Sequence, residues 1–242
     1  MKNLLNQLKI SIIGLGYVGL PIALEFGKHL NVVAYDINKK RINELKKGID
    51  KTKEIKQQEI KVAKNIFFSN KISDLKKSDF FIICVPTPVN SKNKPDLKNL
   101  IDATKKIAKI IDKGNTVVYE STFYPGLTEE VCAPILEKYS KLKYNKDFFC
   151  GYSPERINPG DSKRKLKNIN KLVAGSNKKT LNKVYNLYNL INPKKIIKVK
   201  SIKIAEAAKI IENCQRDINI AFMNELSKLF YIMNIDNHEV LK

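Results

Sequence analysis

The sequence predicts an α/β fold in which a doubly wound parallel sheet is followed by one long helix. Short β-branched or aromatic runs alternate with amphipathic stretches through the first 200 residues. Several of these runs are apolar throughout, as buried parallel strands are. Neither glycine nor proline interrupts residues 201–235. We therefore expect a sheet domain over residues 1–200 and the start of a helical domain over 201–242.

Seven short segments are predicted as strands. In chain order they are KISIIG, NVVAYD, NIFFS, DFFIICV, NTVVYES, DFFCGYS and KLVAGS. Helix-like stretches with apolar residues three and four positions apart lie between them, for example over 38–47 and 96–111. A further amphipathic stretch follows the last strand up to residue 200. The repeat of strand, helix and strand indicates parallel βαβ units.

The last predicted element is a single long helix. Ser201 is suited to cap its N-terminus. The roughly 34 residues that follow, up to Ile235, would form a helix of about 50 Å. Helices of this length usually connect domains or dimerise, so we expect a homodimer formed through residues 201–235.

The composition excludes several functional classes. The formal charge is +21, but only four of the 45 basic residues are arginine, and no basic block is interleaved with aromatics. Base readout and bidentate phosphate contacts favour arginine, so nucleic-acid binding is not expected, although the charge can attract an anionic small substrate.

Cysteine spacing and the uncharged segments point to a cytoplasmic protein. The four cysteines are far apart without a CxxC pair, which favours a reduced compartment and gives no support to a disulfide framework or a metal site. The longest uncharged run, over 10–24, contains three glycines and a proline. It is too short and too broken to span a membrane, and it lacks the cleavage site of a leader.

A glycine motif follows the first strand. Gly14, Gly16 and Gly19 have GxGxxG spacing, with Tyr17 and Val18 between the last two. This pattern serves a tight turn, close approach of a pyrophosphate and close helix–strand packing, and the helix N-terminus adds free N–H groups. The motif thus predicts a Rossmann-type dinucleotide site.

Asp36, at the end of the second strand, indicates the kind of dinucleotide. Its carboxylate can accept hydrogen bonds from the adenosine ribose and would repel a 2′-phosphate, which favours NAD over NADP. The basic residues Lys39, Lys40 and Arg41 could favour NADP, but a solvated helix face is their more ordinary interpretation. Arg41 is nevertheless included among the candidate cofactor contacts.

Polar side chains follow three later strands. Thr87 lies in CVPTPVN, Ser121 and Thr122 lie in YESTFYPG, and Glu155 and Arg156 lie in GYSPERINPGD. Each segment alone could be ordinary turn chemistry. Because parallel strands end at one ligand crevice, three such segments are expected to converge there.

The series GLGYVGLP, VPTP, YEST, YSPERINPGD and AEAAKIIENCQRDINIAFMNEL resembles the UDP-glucose/GDP-mannose dehydrogenase family. It is most similar to the bacterial branch that oxidises UDP-N-acetylhexosamines to uronic acids for surface polysaccharide. The likeness covers essentially the whole chain. It implies an NAD-binding Rossmann domain, a central dimerisation helix and a C-terminal domain that binds UDP. The last of these has no counterpart in the sequence, so we expect the chain to be the N-terminal part of a longer protein.

The resemblance also implies the chemistry. The sugar C6 hydroxyl would be oxidised twice by two NAD molecules, through an aldehyde held on a cysteine. Thr122 and Glu155 would position a water, with Glu155 as general base, while Lys209 and Asn213 would stabilise the oxyanion. A spacing of four residues independently places Lys209 and Asn213 on one helix face. The predicted substrate contacts are Ser153, Glu155, Arg156, Lys209 and Asn213.

The nucleophilic cysteine of the family lies in a later GGHC-type loop that these 242 residues do not contain. Cys214 is no substitute, since it lies about 140° around the helix from Lys209. No histidine is near it in sequence, and we expect it to be a buried packing residue. The chain should then bind NAD without turning over nucleotide sugar.

Two other functions remain open. The first is a non-catalytic NAD-binding or dimerisation module that partners another chain. The second is another Rossmann dehydrogenase, of the 6-phosphogluconate or 3-hydroxyacyl type, although this leaves SPERINPGD unexplained.

Overall fold

A computed structural model describes residues 8–155, 169–240 and 242 of the protein. Its described part contains one sheet of eight strands in the order β3-β2-β1-β4-β5-β6-β7-β8. The strands are β1 (Lys9–Ile13), β2 (Asn31–Tyr35), β3 (Ile66–Ser69), β4 (Phe80–Ile83), β5 (Thr116–Tyr119), β6 (Phe149–Tyr152), β7 (Lys171–Gly175) and β8 (Ile196–Lys198). The order reverses between β1 and β4, as in a doubly wound sheet.

The direction of the last two strands differs from the prediction. The first six strands pair in parallel, but β7 runs antiparallel to β6, with Gly151 opposite Gly175, and β8 is parallel to β7. An apolar run indicates a strand that is buried on both faces, which favours a parallel neighbour but does not fix the direction of any one strand; β7 is buried in the same way and still runs antiparallel to β6. Strand β8 was not predicted. It has only three residues, one of them lysine, and lies half-exposed at the sheet edge.

Eight α-helices accompany the sheet in the described residues. They are α1 (Gly19–Gly27), α2 (Lys39–Lys46), α3 (Gln57–Lys61), α4 (Lys98–Ala108), α5 (Ala133–Ser140), α6 (Lys178–Asn189), α7 (Ile202–Ile232) and α8 (Asn237–Val240). The Asn38 side chain caps α2 by accepting from the N–H groups of Lys40 and Arg41. The helices predicted over 38–47 and 96–111 are therefore present, with slightly shorter ends.

Helices cover both faces of the sheet and produce two hydrophobic cores. One core joins the inner face of α1, including Phe26, to Ile42 of α2 and Tyr188 of α6. The other joins Leu100 of α4 and Leu136 of α5 to the first turn of α7. The predicted doubly wound α/β arrangement is confirmed.

Helix α7 begins where the sequence predicts and ends three residues earlier. The Ser201 hydroxyl accepts from the Ile204 N–H. The helix stops at Ile232, two residues before Asn234, whose φ is 59°. Its 31 residues span about 46 Å. Buried side chains occur only at Ile202, Ala205, Glu206 and Lys209. Among the described helices, none is both long and apolar enough to cross a membrane.

Glu206 fastens the start of α7 to the turn that follows β5. Its fully buried carboxylate accepts from the Gly126 N–H at 2.6 Å, the Thr128 N–H at 3.0 Å and the Thr128 hydroxyl at 2.6 Å. Hydrogen bonds to a charged acceptor are stronger than neutral ones. Glu206 therefore fixes the long helix relative to the strand ends.

Replacing Glu206 by Gln should destabilise the fold, because an amide NH₂ group cannot accept the hydrogen bonds that one carboxylate oxygen now accepts. We expect the free energy of unfolding to fall by about 1–3 kcal/mol. Urea unfolding followed by circular dichroism measures this loss. Glu239→Gln, at an exposed ion pair with Lys242, is the matched control and should change stability little. Equal stability of the two variants would contradict an anchoring role.

Candidate functional site

The three glycines of the turn between β1 and α1 have two different roles. Gly14 has a φ of 93°, and a Cβ at Gly19 would lie 1.8 Å from the Gly14 carbonyl oxygen, so the packing of the chain itself requires glycine at these two positions. A Cβ at Gly16 would meet no protein atom within 4 Å. The absence of a side chain at Gly16 therefore leaves space that a ligand can use.

Backbone donors surround this space. Within the described residues, the N–H groups of Gly16, Tyr17 and Val18 donate to no protein acceptor. They lie at the start of α1, where the positive end of the helix dipole favours an anion. Tyr17 is about half-exposed beside them. The turn thus has the open backbone and the donors that a pyrophosphate requires.

Asp36 supports the same turn. One carboxylate oxygen accepts from the Leu15 N–H at 2.9 Å and the other from the Asn38 N–H at 2.8 Å. Each oxygen keeps a second lone pair, and Asp36 lines the adjoining cavity, so it can still accept from ribose hydroxyls.

Arg41 does not belong to a solvated helix face. It is buried, its Nε donates to the Leu15 carbonyl at 3.0 Å, and a terminal nitrogen lies 2.7 Å from Asp50. Burial tends to raise the pKa of Asp50, but hydrogen bonds from Arg41 and Thr52 outweigh it and lower that pKa overall. Arg41 does not line the cavity, and its hydrogen bond to Leu15 supports the glycine turn from the side away from the cavity. Lys39 and Lys40 are exposed.

A cavity of about 700 Å³ lies along the carboxyl ends of β1, β2, β4 and β5. Most of the predicted cofactor residues line it, and α4 adds Asp102, Ala103 and Lys106, which the sequence analysis did not single out. The predicted cofactor and catalytic residues in the lining are Gly14, Gly16, Tyr17, Val18, Asp36, Thr87, Thr122 and Glu155. Gly19 lies just behind the lining, under the turn.

The strand-end loops are tied to one another. The Thr87 hydroxyl donates to the Thr122 carbonyl at 3.0 Å, and the Ser121 hydroxyl donates to the Val85 carbonyl at 2.5 Å. Thr122 itself is exposed to the cavity. The predicted convergence of these loops is present, and the hydroxyls of Thr87 and Ser121 hold the loops together.

Glu155 lies above a buried group of charges. It is 8% exposed, and its Oε2 lies 3.8 Å from Lys171 Nζ. Lys171 is 2.6 Å from Glu120 Oε2, while the Tyr188 hydroxyl donates to Glu120 Oε1 at 2.5 Å. Burial raises the pKa of Glu120 to about 7, with Lys171 opposing the rise and Glu155 adding to it. Burial lowers the pKa of Lys171, but Glu120 and Glu155 outweigh it, so that pKa lies above its ordinary value.

The sequence analysis missed Glu120, which lines the cavity, and its buried partners Lys171 and Tyr188. Glu120 stands inside the quoted motif YEST, and a carboxylate at a buried strand end was a usable signal. Lys171 begins an apolar strand, which is an uncommon place for lysine and was a second signal.

The remaining predicted residues lie away from this cavity. Ser153 is buried, and its hydroxyl donates to the Leu172 carbonyl at 2.9 Å. Lys209 is buried and Asn213 is half-buried on the same side of α7, but neither lines the cavity. Arg156 lies outside the described residues.

The expectation that Cys214 is a buried packing residue is wrong for this chain, because Cys214 is exposed. It comes after Lys209, and none of the described residues of α7 beyond that point is buried. The lack of a nearby histidine argued against a reactive thiol, but it carried no information about packing, and α7 has already left the sheet at this position.

A glycine turn from strand to helix, an aspartate at the end of the next strand and a crevice along the carboxyl ends together define a dinucleotide-binding domain of the Rossmann type. The chain belongs to the UDP-glucose/GDP-mannose dehydrogenase family. The profile of that family's NAD-binding domain matches residues 8–192, and the profile of its central domain matches residues 203–242. The prediction of NAD as the cofactor is confirmed at the level of the family, and the residues of the turn fit it.

Individual relatives agree with this assignment. The chain is 50% identical over 98% of its length to a UDP-N-acetyl-D-glucosamine 6-dehydrogenase of Pseudomonas aeruginosa. It is 51% identical over 96% of its length to Protein CapL of Staphylococcus aureus. A solved UDP-D-ManNAc dehydrogenase of Pyrococcus horikoshii superposes with a TM-score of 0.86 at 33% identity, over 96% of this chain and 56% of the other. The chain spans 56% and 55% of the two curated relatives.

Alanine substitutions should separate the two kinds of glycine. Gly16→Ala should leave thermal stability nearly unchanged and lower NAD affinity at least tenfold, because the added methyl group occupies only ligand space. Gly19→Ala should destabilise the fold, because its methyl group overlaps the Gly14 carbonyl. Differential scanning fluorimetry and calorimetric titration with NAD measure the two effects. Unchanged NAD affinity in Gly16→Ala would contradict the placement of the pyrophosphate.

Proposed function

We propose that the protein is a cytoplasmic, NAD-dependent nucleotide-sugar 6-dehydrogenase. Its substrate is a UDP-N-acetylhexosamine, which it oxidises at C6 to the uronate in a four-electron reaction that serves capsule or O-antigen synthesis. The observation that carries this proposal is the presence of Thr122 and Glu155 in the same cavity as the glycine turn. The 50% identity to a UDP-N-acetyl-D-glucosamine 6-dehydrogenase supports the choice of sugar.

Each residue is proposed for a role that its position allows. NAD, when bound, accepts hydride. Glu155 reaches the cavity from the end of β6, where a carboxylate can take a proton from a water, and Thr122 can hold that water by its hydroxyl. Thr87 ties the Thr122 loop in place. This arrangement supports general-base hydrolysis at the end of the oxidation.

Lys209 and Asn213 are proposed to stabilise negative charge on the reacting oxygen. They follow one another by four residues on α7, so they share a face, and Glu206 fixes their helix one turn earlier. Both lie outside the NAD cavity, so the sugar is expected to bind between that cavity and this face of α7. Ser153 and Arg156 remain proposed substrate contacts.

The proposed dehydrogenase activity is tested with the full-length gene product, to which UDP-N-acetylglucosamine and UDP-N-acetylgalactosamine are added in separate assays. We expect two NADH per sugar oxidised, measured at 340 nm. Glu155→Gln should lower kcat by about 100-fold or more, because an amide cannot take the proton. Glu225→Gln, at an exposed ion pair on α7, is the control and should match the wild type. NADH release with UDP-glucose alone would exclude the proposed sugar.

A non-catalytic NAD-binding module is the second candidate, since the cavity that contains the glycine turn is lined by neither Lys209 nor Asn213. Residues 1–242 alone, mixed with NAD and UDP-N-acetylglucosamine, are expected to give no sustained NADH. Sustained turnover by these residues would contradict a purely cofactor-binding role. If the protein at its encoded length binds NAD but oxidises no nucleotide sugar, the module is the better description.

We also propose that α7 mediates homodimerisation. Beyond Lys209 it presents a row of exposed apolar side chains at spacings of seven, four, seven and three residues. These are Ile211, Ile218, Phe222, Leu229 and Ile232. Such spacing keeps the row on one face, as in helix pairs that interdigitate. At 100° per residue, this apolar row lies roughly opposite the face that carries Lys209 and Asn213, so a partner can cover it without blocking them.

Ile218→Asp combined with Phe222→Asp should convert a dimer to a monomer, because a dimer would bury two uncompensated charges per chain. Light scattering at several concentrations measures the mass. Ile220→Asp is the matched control, since Ile220 is 55% exposed but lies about 180° from the apolar row. A wild-type chain that stays monomeric at high concentration would refute the proposed interface.

A further inference from the structure

Three ionisable side chains meet beneath the cavity. The Lys171 ammonium lies between two carboxyl groups, 2.6 Å from Glu120 and 3.8 Å from Glu155. It also donates to the Pro154 carbonyl at 3.2 Å. Glu120 is fully buried and Lys171 is 2% exposed. Two carboxyl groups thus share one ammonium inside the wall of the cofactor site, and we call Glu120, Lys171 and Glu155 the buried charge cluster.

Such an arrangement favours one titrating carboxyl group. Desolvation opposes the ionised form of a buried acid, and a second carboxyl nearby opposes it further. At Glu120 these effects exceed the help from Lys171 and from the Tyr188 hydroxyl, so its pKa is raised to about 7. Among the described residues, the Cys84 thiol also faces Glu120; burial raises the pKa of this thiol well above its ordinary value, so it stays neutral near pH 7. Glu120 is therefore the member that gains or loses a proton.

A dinucleotide bound in this crevice would bring its charge close to the buried charge cluster. Asp36, directly after β2, would meet the adenosine half, and the turn at Gly16 would meet the pyrophosphate. The nicotinamide half would then lie further along the strand order, towards the ends of β4, β5 and β6. Glu120 follows β5 and Glu155 follows β6, and both line the cavity there. The nicotinamide ring is a cation in NAD⁺ and neutral in NADH.

We propose that the ionised Glu120 carboxylate of the buried charge cluster makes the site selective for the oxidised cofactor, so that NAD⁺ binding near neutral pH releases a proton from Glu120 and NADH binding does not. The cationic ring favours the ionised form of a carboxyl group in the low-dielectric wall beneath it. The pyrophosphate is common to both cofactor forms, so the NAD⁺-to-NADH affinity ratio isolates the effect of the ring. This inference rests on NAD as the family's cofactor and does not depend on the sugar proposed above.

The ratio should depend on pH with a definite sign. Below about pH 7 Glu120 holds its proton and NAD⁺ binding must expel it, whereas above that pH the proton is already gone. If the ring lowers the pKa of Glu120 by about one unit, the NAD⁺-to-NADH affinity ratio rises about fivefold between pH 6 and pH 8. Calorimetric titrations of both cofactors measure the ratio. Repeating them at pH 6.5 in buffers of different ionisation enthalpy should show that NAD⁺, but not NADH, releases a proton.

Two variants test whether Glu120 is the source. Glu120→Gln cannot ionise, so its affinity ratio should be independent of pH and its NAD⁺ binding should release no proton. Tyr188→Phe keeps the buried ring packed against Phe26 but removes the hydroxyl that donates to Glu120. It should therefore raise the pH at which the ratio changes. Glu225→Gln is the control and should behave as the wild type.

The outcomes separate the possibilities. A wild-type ratio that does not change with pH would overturn the proposal, as would a Glu120→Gln variant that keeps the wild-type dependence. If Glu120→Gln does not fold, Tyr188→Phe decides, and an unshifted midpoint refutes the role of Glu120. A chain that binds neither cofactor would overturn this inference and the cofactor assignment together. None of these results depends on whether UDP-N-acetylhexosamine is the substrate.

Discussion

The contact between Gly19 and the Gly14 carbonyl is the constraint on which the site depends. Because no Cβ separates them, α1 can start directly against the turn that leaves β1. This closeness points the first N–H groups of α1 at the space beside Gly16, and Asp36 and Arg41 then hold the turn from either side. A looser helix would leave the same donors facing water. The cofactor site is thus a consequence of backbone packing more than of any side chain.

Much of this arrangement could be predicted from the sequence, because strand and turn patterns are local. The glycine spacing, Asp36 and the loops carrying Thr87, Thr122 and Glu155 were all found, since parallel strands deliver their ends to one edge. Arg41 was assigned to a solvated face, because helix periodicity does not show which long side chain folds back under a turn. The burial of Cys214 was wrong because sequence hydrophobicity does not show where a helix leaves its domain.

Helix α7 belongs to two environments. Its first two turns are part of the sheet domain's core, through Ile202 and Ala205 and through the carboxylate of Glu206. The remaining turns have no buried side chain among the described residues. Lys209 is the last buried residue of α7, so the proposed catalytic lysine lies where the helix leaves the sheet domain.

The reversed direction of β7 has a consequence for the chemistry of the sheet edge. If β7 were parallel to β6, the last residue of β7 would lie at this edge of the sheet, and the N-terminus of the following helix would lie beside it. Because β7 runs the other way, its first residue, Lys171, arrives at the end of β6 beside Pro154 and Glu155. The fold thereby replaces the partial positive charge of a helix terminus with a whole ammonium built into the wall. The direction of β7 thus determines which positive charge lines this wall, and Glu120 and Glu155 compensate the buried ammonium of Lys171.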